Sequence, residues 1–218
     1  SYVEQARVPM PERVQMYNLL KRLSYAEVLR PEFLAEIDTE QPLALQRETY
    51  RSSGGEALIN RMLAFDWKYT LADNDLPKVC GATRLAGVEV AFPLLDDRLV
   101  DFSLSLPPAY KLRGQTLRWF FKEALRDFLP EAILRKKKHG FGLPFGVWLG
   151  RDAALRALAL DSLAGLAGRG YVRPEFIDRL TQQLLPLAPG YYGEMVWILM
   201  MLEQWFVQTA GARRPRAT

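Results

Sequence analysis

Gly193-Glu194-Met195-Val196-Trp197-Ile198-Leu199-Met200-Met201-Leu202-Glu203-Gln204-Trp205-Phe206-Val207-Gln208-Thr209 is the stretch whose reading sets the fold class. Met195, Val196, Ile198, Leu199, Leu202 and Phe206 recur at helical spacing without period-two alternation, so the segment reads as an apolar helix. Working back toward the N-terminus, 174–185 and 153–166 carry two more helical patterns, separated by Gly168-Arg169-Gly170. Residues 115–128 are amphipathic, with Trp119, Phe120, Ala124, Leu125 and Phe128 on one side. Pro130-Glu131 opens a short turn that delivers Arg135-Lys136-Lys137-Lys138. Asp96 reads as the cap of a short helix that begins at Asp97 and ends at Pro107-Pro108.

Earlier still, Asp73-Asn74-Asp75 reads as a turn and N-cap, with Pro77 in the first turn of a helix to about Val88. Residues 56–71 predict a long helix. Residues 39–55 are polar, end in Arg51-Ser52-Ser53-Gly54-Gly55, and read as a loop. Ser24 with Glu27 is a capping-box pattern for a helix through about Leu34. Pro11 opens a first helical segment carrying Val14, Tyr17, Leu20 and Leu23. Strand patterns are few and no repeat period is present. The reading is an all-α or mainly α body, one helical domain over residues 1–218, weakest at 168–170.

Composition narrows the function classes. The 218 residues are 49% hydrophobic and 25% charged, an ordinary globular balance. No apolar run approaches the ~20 residues a membrane helix needs, so no membrane role is expected. The opening Ser1-Tyr2-Val3-Glu4 lacks the apolar stretch of a signal peptide. One cysteine, Cys80, excludes an internal disulfide and a cysteine-built zinc site. One histidine, His139, excludes a two-histidine mechanism, and no metal site is expected. A reducing, cytoplasmic setting is the default. The basic excess, 29 Lys and Arg against 25 acids, lies in residues 135–138 and in the tail arginines Arg213, Arg214 and Arg216. No interleaved aromatics place these on one face, so no nucleic-acid partner is expected.

The informative stretch is 71–150. It contains Asp73-Asn74-Asp75-Leu76-Pro77-Lys78-Val79, then Gly87-Val88-Glu89-Val90-Ala91-Phe92-Pro93-Leu94-Leu95-Asp96-Asp97-Arg98-Leu99-Val100-Asp101-Phe102. Leu106-Pro107-Pro108 with Lys111-Leu112-Arg113-Gly114 follows, then Lys122-Glu123-Ala124-Leu125-Arg126. Leu129-Pro130-Glu131-Ala132-Ile133-Leu134 leads into Lys138-His139-Gly140-Phe141-Gly142-Leu143-Pro144 and Trp148-Leu149. In this order and spacing the pieces resemble the C-terminal synthetase domain of glutamine-hydrolysing asparagine synthetases. The resemblance covers about eighty residues strongly and extends weakly to Trp197–Trp205.

The resemblance implies the helical C-terminal portion of an adenine-nucleotide alpha-hydrolase-like (ATP-pyrophosphatase) domain. It implies ATP and Mg as requirements of the full-length protein, and a small-molecule acyl acceptor. The partners it implies are a glutaminase domain and an ATP-binding region with a Ser-Gly-Gly-x-Asp-Ser loop. Ser52-Ser53-Gly54-Gly55 matches that loop only superficially. The chain therefore reads as the C-terminal portion of a longer protein, inactive alone. An apolar patch left where the sheet region would pack favours homo-oligomers.

Residue by residue, the resemblance makes Lys138 the catalytic cation facing pyrophosphate and the reacting acyl group. Gly140 and Gly142 let the backbone bend close to ligand, and Glu89 falls near the acyl-acceptor pocket. Two positions depart. Cys80-Gly81 stands where the family carries Asp or Asn followed by a basic residue, and Ala91 stands where it carries arginine. Arg84, three residues after Gly81, is about one turn on and can return a guanidinium to the same face; a plain surface arginine is the alternative. Cys80 reads as a helix-packing residue. The competing functions are an amidotransferase of this type, an amidotransferase acting on another carboxylate, and a helical interaction module.

Overall fold

Helices make up most of the computed structural model, which describes residues 2–52, 57–137 and 142–210. The chain divides into two units, one of Ser1–Glu12 with Pro42–His139 and the other of Arg13–Gln41 with Gly140–Thr218. Among the described residues, no helix is long and apolar enough to cross a membrane.

The second unit owns the main core. The helix Pro189–Ala210 packs along Ala153–Gly168 and against Phe145–Leu149. Leu163, Leu166, Leu180, Met195 and Val196 are each at most 1% exposed, and Phe145, Leu149, Leu199 and Met200 close around them. This burial is the dominant favourable term in the unit. The N-terminal piece joins through backbone pairing. The Arg30 N–H donates to the Tyr171 carbonyl at 3.0 Å and the Arg173 N–H to the Val28 carbonyl at 2.9 Å. Glu203 is buried and takes Arg169 Nε and Nη2 at 2.5 and 2.8 Å, which ties the last helix to the turn after Gly168. Gln204 Nε2 donates to Ser162 Oγ at 2.9 Å across the same pair of helices.

The first unit is thinner. Leu43, Tyr50 and Phe65 are its large buried apolar side chains among the described residues, with Pro11 buried as well. They join Gln41–Ser52 to Leu58–Asp66, with the Phe65 and Tyr69 rings 4.6 Å apart. A π-helical stretch, Trp67–Asp75, then runs into the helix Leu76–Leu85. Beyond it come a 3₁₀ turn Pro93–Leu95 and helices Asp97–Ser105, Pro108–Lys111, Trp119–Ala124 and Glu131–Leu134. A hairpin pairs Leu112 with Leu117 and Arg113 with Thr116. Gly114 has φ +60° at the first position of its two-residue loop. That geometry favours glycine, because the Cβ of other residues crowds the backbone there.

The mainly α reading holds, and four local readings need correcting. Residues 41–52 are a helix rather than a loop; polarity hid the two buried side chains, Leu43 and Tyr50, that sit two turns apart. Ser24 makes no side-chain cap bond and has φ +70°, and Pro31 starts a separate helix Pro31–Glu36 instead of extending the first. Asp75 is helical and caps nothing. Pro77 has no N–H to give, and the chain passes through it on π-type bonds, with Leu76 N–H donating to the Leu71 carbonyl. The amphipathic segment 115–128 begins as a strand and is helical only over Trp119–Ala124.

Candidate functional site

Lys138 and Gly140, the centre of the expected site, lie outside the described residues, as do Ser53-Gly54-Gly55. Lys136 and Lys137 are exposed just beyond the helix Glu131–Leu134. Gly142 is exposed, and a Cβ there would meet open space, so packing does not require glycine at this position.

Asp96 does the structural work expected of it. Its Oδ1 accepts the Arg98 backbone N–H at 3.1 Å and Arg98 Nε at 3.0 Å, while Arg98 Nη2 reaches Oδ2 at 3.3 Å. The Arg98 guanidinium, then the Arg98 backbone amide, hold its carboxyl below the usual carboxylate value. A carboxylate at a helix N-terminus is favoured by the orphan N–H groups and the helix dipole.

Arg84 stands on the last turn of Leu76–Leu85, exposed, and the helix closes with the Val88 N–H on the Thr83 carbonyl at 2.9 Å across Gly87, φ +67°. Glu89 follows in the irregular segment beyond Gly87, also exposed. Among the described residues neither Arg84 nor Glu89 forms an ion pair or side-chain hydrogen bond, and no bond joins them. Lys78 is engaged by Asp75 at 2.8 Å, and Cys80 is a half-buried free thiol. No group of three or more His, Cys, Asp or Glu among the described residues is placed to hold a metal.

A second cluster escaped the sequence reading. Arg118, Lys122, Lys136 and Lys137 line a cavity of about 310 Å³ together with Phe121, Leu129, Ile133 and Leu134. Arg118 occupies the left-handed region, φ 58° and ψ 36°, at the start of the helix Trp119–Ala124. Its N–H donates to the Lys111 carbonyl at 3.2 Å, and its own carbonyl accepts the Lys122 N–H at 3.1 Å. The signal in the sequence is an i, i+4 pair of cations ahead of the basic run. The left-handed turn that aligns them with Lys136 and Lys137 has no such signal.

The asparagine synthase family model matches residues 3–207 of the chain. Asparagine synthetase [glutamine-hydrolyzing] 1 of Bacillus subtilis is 27% identical over 100 residues, covering 46% of this chain and 16% of that protein. Putative asparagine synthetases [glutamine-hydrolyzing] of Mycobacterium bovis and Mycobacterium tuberculosis are 28% identical over 100 residues, covering 46% of this chain and 15% of theirs. The match thus spans about a sixth of these curated relatives. No solved structure matches.

Proposed function

The chain belongs to the asparagine synthase family, and on that premise we propose that it is the C-terminal helical part of an ATP-dependent, glutamine-hydrolysing amidotransferase that converts aspartate to asparagine. The side-chain carboxylate of aspartate attacks the α-phosphorus of ATP, the α–β P–O bond breaks, and pyrophosphate leaves. Ammonia released from glutamine then attacks the acyl carbon of the aspartyl-adenylate, AMP departs, and a proton is lost. Negative charge grows on the α-phosphate and pyrophosphate in the first step. A fixed cation aimed there lowers the barrier, and Lys138 is that cation.

Arg84 and Glu89 serve the acyl acceptor. What supports this is their exposure on one short stretch of chain with no partner among the described residues, so both remain free to meet a ligand. Gly140 and Gly142 let the backbone pass close to it. Nucleotide phosphates and Mg are held by an ATP-binding region that precedes this portion, and the glutaminase domain supplies ammonia. In this reading the full protein works in the cytoplasm and the 218 residues alone make no asparagine. The observation that carries the reading is the family match over 3–207.

Cys80-Gly81 and Ala91 favour a second reading, an amidotransferase acting on a different carboxylate, because no cation stands at those positions. The test is carboxylate-dependent exchange of labelled pyrophosphate into ATP by the complete polypeptide. Aspartate-dependent exchange that Lys138→Ala slows by about 10²–10³ while ATP binding persists is the expected result. Exchange with another carboxylic acid alone selects the second reading, and no exchange with any refutes both.

A further inference from the structure

We propose that the cavity lined by Arg118, Lys122, Lys136 and Lys137 binds a phosphate monoester of a small apolar alcohol. The inference does not rest on the synthetase reading; it needs only this cavity of the first unit. No carboxylate is among the described lining residues. Of the acids close in sequence, Glu123 is paired with Arg126 and Glu131 with Arg135 at 2.5 Å, and Asp127 is not among the described lining residues. None of the four cations pairs with a described residue. Four positive charges around one space repel each other, and a doubly charged anion between them removes that repulsion.

Arg118 is held in place by its two backbone hydrogen bonds although its left-handed conformation is disfavoured for a residue with a Cβ. Such local strain persists where surrounding structure fixes it, and it clusters at binding sites. The remaining wall is apolar: Phe121, Leu129, Ile133 and Leu134. Inorganic phosphate has no use for that wall, whereas an ester carrying a ring or a short alkyl group does. The volume of about 310 Å³ is at the small end of ligand sites, which suits a body of about one ring.

Phenyl phosphate is the probe, titrated into the 218-residue chain by calorimetry and by amide chemical shifts. A dissociation constant about 1 mM in low salt is expected, the scale set by a few solvent-exposed ion pairs. Inorganic phosphate should bind at least fivefold more weakly. Raising ionic strength toward 0.3 M should weaken the ester severalfold, since the charges lie at the surface. Lys122→Glu with Lys136→Glu should cost at least tenfold, while Lys122→Arg with Lys136→Arg keeps binding and so separates charge from misfolding. Phe121→Ala should erase the preference for the ester and spare inorganic phosphate. Binding unmoved by the charge reversals, benzoate binding as well as phenyl phosphate, or no saturation by 20 mM overturns the proposal.

Discussion

Replacing Gly146 by alanine tests how the second unit is assembled. A Cβ on Gly146 would lie 1.8 Å from the Pro189 carbonyl oxygen, 2.6 Å from its carbon and 3.0 Å from the Gly193 Cα. Normal contact between such atoms is about 3.5 Å, so the methyl is short by roughly 1.5–2 Å. The obstructing atoms are backbone, which cannot rotate away. The helix Phe145–Leu149 must therefore back off Pro189–Ala210, and Phe145 and Leu149, now 5% and 4% exposed, lose their seats on the core. Overpacking costs about 1–3 kcal/mol when side chains can adjust; here they cannot, and about 3 kcal/mol or more is expected. For a chain of this size that is a melting point lower by roughly 6–12 °C. Gly193→Ala should behave alike, because its Cβ would sit 2.4 Å from the Gly146 Cα, and the double variant should cost less than the sum, since one gap admits both methyls. Gly168→Ala is the opposing control: it meets nothing within 4 Å in the last turn of Ala153–Gly168, and alanine is the better helix former. Thermal melts followed by circular dichroism and tryptophan fluorescence read all four. A Gly146→Ala melt within a degree of wild type refutes the close crossing.

Arg169→Ala should lower the melting point and leave the Glu203 carboxylate buried without its partner; adding Glu203→Gln should recover most of the loss, and no recovery would show that the arginine acts through its packing on Phe206 instead. Asp96, held below its ordinary 3.8 by Arg98, stabilises the fold above its unfolded pKa and loses that contribution as pH falls through the lowered folded value. Asp96→Asn keeps a capping oxygen but should flatten the stability profile below pH 4, measured by acid titration of the far-ultraviolet signal; an unchanged profile would remove Asp96 from the account. Sedimentation velocity on the 218-residue chain should show concentration-dependent self-association, and a strict monomer at high concentration would count against a large sticky surface.

What the sequence revealed depended on how local the cause was. The helix Pro189–Ala210 was legible because its apolar repeat is long, and Asp96 was legible because a carboxylate caps through the amide two residues on. The helix Gln41–Ser52 was not, since two buried side chains in a polar segment leave little periodic signal. Ser24 carried the right residue type for a cap but sits at φ +70°, set by the neighbouring turn rather than by its own chemistry. The cationic cavity needed a hairpin, a left-handed arginine and a turn near residue 130 to converge, and none of those is a property of one segment. For the expected synthetase residues, the residue types and order were readable, while Lys138 and Gly140 lie in 138–141, outside the described residues.

The two units divide labour in a way that bears on function. The second unit buries Val28, Leu166, Leu180 and Met195 completely and has what an independent core requires. The first holds Arg84, Glu89 and the cationic cavity, yet leaves Leu85 92% exposed and Phe128 81% exposed. Single exposed apolar residues need no explanation, but here Leu94, Phe102 and Leu104 are exposed as well, in the same hundred-residue unit that buries so little. A surface that is apolar and also carries the unpaired charged side chains fits one wall of a site better than a finished site. This supports the reading in which an ATP-binding region covers the first unit, the apolar side chains seat that region, and Arg84, Glu89 and Lys138 meet the substrates it brings. Within the second unit, Gly146 stands so close to Pro189 and Gly193 that a single methyl group matters.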